Sequence, residues 1–178
     1  MNPSQIQTVE SPAPLFPVKR IRAVLAIFVA GLVFSGLTAF PLETEIRALD
    51  AMIPSCCAGG GFAVWIARVR EGLVETNAKF PFIAYGTDWL AFAHLVIAVA
   101  FIGPWRDPVR NAWVIDWGIF CCAAIIPLAL IAGGVRGIPF GWRLVDCSFG
   151  IFGAIPLLLA RRWIQESIRH QNSKRDFR

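Results

Sequence analysis

Charged side chains are scarce in this 178-residue chain: Asp, Glu, Lys and Arg make up 16% of it, whereas 56% is hydrophobic. A soluble globular domain carries about 25% charged residues, so an ordinary soluble fold is excluded. Histidine is also rare, with two in the chain, and no pair has the spacing of a zinc or haem site. Because no cofactor fingerprint, C-x-x-C pair or catalytic motif is present either, we expect no metal and no cofactor.

Long apolar runs are what the sequence has instead. They cover residues 23–42, 88–105, 112–133 and 142–160. Each is close to the ~20 residues with which a helix crosses ~30 Å of hydrocarbon. Since lipid cannot hydrogen-bond a backbone, each run must be helical. The sequence therefore predicts an all-α fold, a bundle of four transmembrane helices over residues 19–163.

The two ends of the chain differ from these spans. Residues 1–18 are polar and hold four prolines, which predicts a disordered tail, and residues 164–178 form a basic tail. The first apolar run follows basic residues as a secretory signal does. It is, however, too long for a signal's apolar region and lacks a convincing cleavage site, so we expect it to remain as the first span.

The distribution of lysine and arginine predicts the orientation. If the N-terminus is inside, the inner side holds eleven of the 17 basic residues and the outer side six. The positive-inside rule then predicts a protein of the bacterial cytoplasmic membrane with both termini in the cytoplasm. The basic residues lie at the ends of the apolar runs and are not interleaved with aromatics, so we expect membrane lipids as partners and no nucleic acid. Partner membrane subunits or a homo-oligomer remain open.

The outer loop between the first and second spans, residues 43–87, contains an amphipathic pattern. Its apolar residues recur at helical spacing and are Phe62, Trp65, Ile66, Val69 and Leu73. This pattern predicts a helix lying in the outer membrane interface. A lid over the mouth of the bundle is the alternative.

Ionisable groups within or beside the spans are the candidates for function, because each is costly in hydrocarbon. Asp88 and Asp146 lie in the first turns of the second and fourth spans, and Arg136 and Arg143 lie between the third and fourth. These four residues predict either an Asp–Arg clasp that closes the mouth of the bundle, or a polar outer pocket. In the pocket, an arginine would hold an anionic headgroup or carboxylate and an aspartate would act as acid or base.

His94 lies about 9 Å below Asp88 along the second span. It predicts either a neutral side chain that hydrogen-bonds between helices or a proton acceptor at the base of the pocket. Asp116, near the cytoplasmic edge, is interpreted as a paired or snorkelling charge. Small residues at Gly31, Ser35, Gly150 and Gly153 could let helices approach closely.

Five cysteines raise a redox hypothesis. Four spans with outer cysteines resemble the disulfide-forming quinone oxidoreductases and the vitamin K epoxide reductase group, in which C-x-x-C pairs carry electrons. Here Cys56 and Cys57 are adjacent, and adjacent cysteines form only a strained bridge, which disfavours that mechanism. Cys121 and Cys122 are expected to pack as small apolar side chains.

Several polar signatures are distinctive for so apolar a chain: GTDW, GPWRDPVRN and RGIPFGWRLVDCSFG, with SGLTAFPLETEI at the end of the first span. On these stretches the chain resembles a family of small, uncharacterised bacterial membrane proteins with four helices. The resemblance implies the four-helix architecture and carries no activity.

Three functions follow as expectations. The first is a binding or scaffolding protein whose polar outer pocket, built from Asp88, His94, Arg136, Arg143 and Asp146, takes a lipid-like or anionic ligand. The second is a membrane-embedded acid/base enzyme on a lipid-like substrate, which would use His94 with Asp88 or Asp146. The third is an accessory subunit of a larger membrane complex.

Overall fold

The computed structural model describes residues 18–54 and 59–176, and within these ranges it is helical, without strands. The helices are α1 (Val18–Ala39), α2 (Leu42–Ala51), α3 (Gly61–Lys79), α4 (Ala84–Ala100), α5 (Ile102–Arg106), α6 (Ala112–Val135) and α7 (Phe140–Asp176). A short 3-10 helix, Pro81–Ile83, leads directly into α4. The predicted N-terminal tail, except for its last residue, and the Cys56–Cys57 pair lie outside the described residues.

Four of the helical segments are long and apolar enough to cross a membrane: Val18–Ala39, Pro81–Arg106, Ala112–Val135 and Phe140–Arg169. At most 22% of the most apolar window of any of them is buried within the protein. Apolar surface on this scale needs lipid or another apolar partner around it. The prediction of four apolar helices is confirmed, and they are compatible with an integral membrane protein.

The described residues fall into two compact units, one formed by residues 27–103 and the other by residues 18–26 with 104–176. In the second of these, α6 and α7 form an antiparallel hairpin. Near its middle, a Cβ added to Gly150 would collide with the carbonyl oxygen of Cys122, so the two backbones touch there. Towards its far end, Arg161 Nε pairs with Asp116 Oδ1 at 2.6 Å. The prediction of Asp116 as a paired charge is confirmed, and its partner is Arg161.

The turn of this hairpin is specified by its glycines. Gly137 has a φ of 67°, which is the left-handed conformation that side chains disfavour. Its N–H donates to the Gly134 carbonyl at 3.2 Å, and the Ile138 N–H donates to the Gly133 carbonyl at 2.8 Å. These two bonds form a Schellman motif, which satisfies the last carbonyls of α6. Pro139 follows and cannot continue the helix, so the chain reverses into α7.

In the unit of residues 27–103, the later part of α1 packs antiparallel to α4. The rings of Phe28 and Phe101 lie 4.7 Å apart at one end. Towards the other end, a Cβ added to Gly36 would lie 2.9 Å from the Ala91 carbonyl oxygen. Gly31, which was predicted to allow such an approach, has nothing within 4 Å of its added Cβ. The close contact therefore lies at Gly36.

The helices α2 and α3 form a second antiparallel pair in the same unit. Arg70 Nε forms an ion pair with Asp50 Oδ2 at 2.7 Å, and Asn77 Nδ2 donates to Glu43 Oε2 at 2.6 Å. The buried side chain of Ile46 lies in α2 between Glu43 and Asp50, the residues through which α2 makes these two contacts. A helix thus covers the stretch predicted to be amphipathic, and its location in the membrane interface stays a prediction.

One helix and two boundaries differ from expectation. The predicted outer loop contains α2, which was not foreseen. The second span begins earlier than expected, at Pro81 rather than at residue 88. The last helix, α7, continues to Asp176, although the membrane domain was expected to end at residue 163. Polar residues end the apolar span there without ending the helix, and the Arg162–Glu166 pair one turn apart supports its continuation.

Candidate functional site

The five residues predicted to form an outer pocket are divided between the two units. Asp88 and His94 belong to residues 27–103, and Arg136, Arg143 and Asp146 belong to the other unit. Each group is described within its own unit, and a single pocket that contains all five stays a prediction.

Arg143 lies in the first turn of α7, directly after the loop that joins α6 to α7. Its Nε donates to the Ile138 carbonyl at 2.7 Å. Its side chain also crosses the end of α6, since a Cβ on Gly133 would lie 2.9 Å from Arg143 Cγ. The first turn of α7 is thereby tied to the loop that precedes it. This contact gives Arg143 a structural role.

The other two residues of this group are less constrained. Arg136 is the exposed residue that ends α6, and Asp146 is half-buried one turn after Arg143. Among the described residues of this unit, no ion pair joins Asp146 to either arginine. The Asp–Arg clasp is therefore not formed between these three side chains. Their charges remain available to a ligand or to lipid headgroups.

His94 lies beside the contact between α1 and α4. Its Nδ1 is 2.8 Å from the carbonyl oxygen of Leu90, one turn back on the same helix. A carbonyl can only accept, so the ring donates from Nδ1 in this bond. The Cβ of His94 is 3.2 Å from the position of a Cβ on Gly36. The Nδ1 bond is therefore made within one helix, and the predicted bond between helices is not made by this nitrogen.

Asp88 lies in a recess with a volume of ≈ 270 Å³, which we call the aromatic recess. Its other lining residues are Phe40, which directly follows α1, and Tyr85, Trp89 and Phe92, from α4. The ring centroids of Tyr85 and Trp89 are 5.9 Å apart, and those of Trp89 and Phe92 are 6.2 Å apart, both edge to face. Asp88 is half-buried, and the structure gives its side chain no hydrogen bond or ion pair with a described residue of its own unit.

A larger cavity of ≈ 580 Å³ lies beside the α2–α3 pair, and we call it the α2–α3 cavity. It was not predicted. Its wall is formed by the residues between α1 and α2, the start of α2, the second half of α3 and the start of α4. The lining residues are Phe40, Pro41, Leu42, Glu43, Thr44, Val69, Gly72, Leu73, Thr76, Asn77, Ile83, Ala84 and Thr87. Phe40 lines both this cavity and the aromatic recess.

Glu43 is the charged group of the α2–α3 cavity. Its Oε2 accepts from Asn77 Nδ2 at 2.6 Å, and its Oε1 accepts from Arg47 Nε at 2.9 Å and Nη2 at 2.8 Å. The hydrogen bond from Asn77, and then that from Arg47, lower the pKa of Glu43 below its ordinary value. Glu43 is therefore ionised at neutral pH, with its charge matched by Arg47. The cavity has an apolar wall and a fixed polar edge.

The thiols described in the structure belong to the α6–α7 hairpin. Cys121, Cys122 and Cys147 are free, and Cys122 and Cys147 are buried. The Cys147 thiol faces the Ile126 carbonyl across the hairpin at 3.9 Å. Over residues 18–54 and 59–176, no cluster of three His, Cys, Asp or Glu side chains could hold a metal ion. Cys122 and Cys147 are therefore packed between α6 and α7.

No protein-family model, curated protein or solved structure matches this chain. The resemblance to a family of small four-helix membrane proteins therefore stays a prediction.

Proposed function

We propose that the protein is a multi-pass protein of the bacterial cytoplasmic membrane, with both termini in the cytoplasm, that binds a lipid-like ligand at the outer ends of its spans. The observation that supports this proposal is the α2–α3 cavity. The positive-inside rule assigns the end of α1 and the start of α4, which border the cavity, to the outer side. We also propose that α3 lies in the outer membrane interface.

The composition of the cavity favours an amphiphile. Its volume of ≈ 580 Å³ is within the roughly 300–1,000 Å³ typical of small-molecule sites. Apolar side chains such as Leu42, Val69 and Leu73 can contact a hydrocarbon body, while Glu43 and Asn77 provide polar contacts at one edge. A ligand with an apolar body and a polar head satisfies both parts of this wall. Outside the cavity, the exposed Arg136 would attract anionic headgroups of the surrounding lipid.

The other two predicted functions remain alternatives. An acid/base enzyme would require His94 to act with Asp88 or Asp146, and the hydrogen bond of His94 Nδ1 to its own helix is equally consistent with a structural role. An accessory subunit would use the exposed apolar surface of the spans, which bulk lipid also covers. Neither alternative has a contact that favours it over ligand binding.

Filling the cavity tests the proposal. Gly72 lines the cavity and has nothing within 4 Å of an added Cβ, so Gly72→Trp places an indole in the ligand's space without a direct clash. Gly31→Trp is the matched control, because Gly31 is also helical, has no neighbour within 4 Å and does not line the cavity. The readout is native mass spectrometry of full-length protein purified in mild detergent.

We expect wild type and Gly31→Trp to retain a bound lipid-like molecule that Gly72→Trp loses. Equal retention by both variants, or no bound lipid in the wild type, would contradict the proposal. Gel filtration and circular dichroism of the three proteins establish that the comparison is made between folded forms.

A further inference from the structure

The segment that joins α5 to α6 contains GPWRDPVRN, one of the distinctive polar signatures of the chain. Asp107 fixes its backbone. The Asp107 Oδ1 accepts from the Arg110 N–H at 3.0 Å. The Asp107 carbonyl accepts from the Asn111 N–H at 3.2 Å and from Asn111 Nδ2 at 2.9 Å. The backbone between Arg106 and Arg110 is therefore held in one conformation by local hydrogen bonds.

Arg22, from α1, is anchored to this segment. The Trp105 carbonyl is one of the last four of α5, which have no partner within a helix. Arg22 Nε donates to it at 3.0 Å. The Trp105 carbonyl carbon is bonded to the Arg106 nitrogen, so the guanidinium of Arg22 lies beside the backbone of Arg106. The Arg22 side chain is exposed, and its two terminal nitrogens keep their N–H donors for another acceptor.

The positive charge of this segment is not neutralised within its unit. Two carboxylates of α6 and α7 near this end of the hairpin already have arginine partners, in the pairs Asp116–Arg161 and Glu166–Arg162. The Asp107 carboxylate bonds a backbone N–H instead of a guanidinium. Among the described side chains of the unit, no carboxylate forms an ion pair with Arg22, Arg106 or Arg110.

The chemistry of these three side chains selects an oxyanion. The planar guanidinium presents parallel N–H groups that match the oxygens of a phosphate. Trp105, 40% exposed, is of the residue type that lies at the level of lipid headgroups. Phosphate is the oxyanion that phospholipids provide at this level. A zwitterionic lipid brings its own ammonium group, whereas an anionic lipid leaves its negative charge for the protein.

We propose that Arg22, Arg106 and Arg110 form a binding site for the phosphate of an anionic phospholipid. Arg22 presents its terminal nitrogens to the phosphate, and Arg106 and Arg110 add positive charge from the fixed segment. This site is distinct from the α2–α3 cavity, and the inference shares with the proposed function only the location in a membrane. In the proposed orientation, the lipid comes from the inner leaflet.

The test compares headgroups on identical short acyl chains. Phosphatidylglycerol and phosphatidylethanolamine are titrated into full-length protein in mild detergent, and dissociation constants are measured by microscale thermophoresis. We expect phosphatidylglycerol to bind about fivefold or more tightly. Arg22→Gln should reduce this preference to less than about twofold. Inorganic phosphate is titrated separately, and binding as tight as that of phosphatidylglycerol would indicate a site for a free anion and overturn the lipid assignment.

The same helix supplies a control of equal charge. Arg20→Gln removes one positive charge two residues before Arg22, on a different face of α1, and it should leave the preference unchanged. Asp107→Asn removes a negative charge beside the arginines and keeps an oxygen that accepts from the Arg110 N–H. It should raise the preference by about twofold or more, a gain that loss of folding cannot produce.

The outcomes separate this inference from the proposed function. Equal affinity for the two lipids, or equal losses in Arg20→Gln and Arg22→Gln, overturns the site. The titrations are repeated in Gly72→Trp, in which the α2–α3 cavity is filled. The preference for phosphatidylglycerol should persist there, and its disappearance would assign it to the cavity and overturn the inference. If Gly72→Trp has no effect on bound lipid while Arg22→Gln abolishes the preference, the proposed function fails and this site stands.

Discussion

The contact of α1 with α4 at Gly36 leads to a sharp prediction about stability. A Cβ at this position would lie 2.9 Å from the Ala91 carbonyl oxygen, 3.1 Å from Leu95 Cδ2 and 3.2 Å from His94 Cβ. The Leu95 side chain can rotate away, but a carbonyl oxygen within a helix cannot. The substitution Gly36→Ala must therefore push the two helices apart.

The magnitude follows from two opposing effects. Overpacking of a close contact costs about 1–3 kcal/mol. Alanine is favoured over glycine within a helix by about 0.5–1 kcal/mol, which offsets part of that cost. We therefore expect Gly36→Ala to lower the free energy of unfolding by about 0.5–2 kcal/mol.

The same helix provides the control. Gly31 is five residues earlier in α1 and has nothing within 4 Å of an added Cβ. Gly31→Ala therefore gains the higher helix propensity of alanine without a steric clash against α4. Unfolding by increasing sodium dodecyl sulfate in mixed micelles, followed by circular dichroism, measures both variants. Gly31→Ala should be more stable than Gly36→Ala by about 1–3 kcal/mol. Equal unfolding curves would refute the close approach at Gly36.

Two further predictions concern the turn of the hairpin and the pH dependence of the α2–α3 pair. Gly137→Ala should destabilise the protein by about 1–2 kcal/mol in thermal unfolding, because a side chain disfavours the left-handed φ of 67°. Gly141→Ala is the control, since an added Cβ there has no neighbour within 4 Å. Equal melting temperatures of the two variants would contradict the left-handed turn at Gly137. In the folded protein the pKa of Glu43 lies below its ordinary value of 4.5. The stabilisation that the ionised Glu43 side chain gives is therefore complete above pH 4.5 and is lost as the pH falls through the lowered pKa. Glu43→Gln should therefore weaken the loss of thermal stability between neutral and acidic pH, and an unchanged pH profile would argue against the contact with Asn77.

The four long apolar helices could be predicted because one local property, an apolar run, determines them. The helix α2 was missed although local signals for it exist. Glu43 lies in its first turn and pairs with Arg47 one turn later. This pairing is typical of a short surface helix, but its apolar positions are too few to give a long periodic pattern. The end of α7 was misplaced for the opposite reason, since the loss of apolar character was interpreted as the end of the helix.

The α2–α3 cavity could not be predicted from any local pattern. Glu43 and Asn77, which form its polar edge, are 34 positions apart in the chain. Their contact depends on the antiparallel packing of two helices, and neither residue belongs to a recognisable motif. The predicted site residues were chosen because they are ionisable and lie within apolar sequence. This criterion identifies side chains that are costly to place in hydrocarbon, but it does not identify the residues with which they pair.

Asp88 and Asp116 show why a tertiary partner matters. They have similar local sequence, YGTDW and WVIDW, and local reasoning would give them the same role. The guanidinium that pairs with Asp116 comes from Arg161, 45 positions later in the chain, and it is brought there by the turn that Gly137 permits. A carboxylate with such a partner contributes to the packing of the hairpin. The role of an acidic group near the end of an apolar helix thus depends on its tertiary partner, which the local sequence does not show.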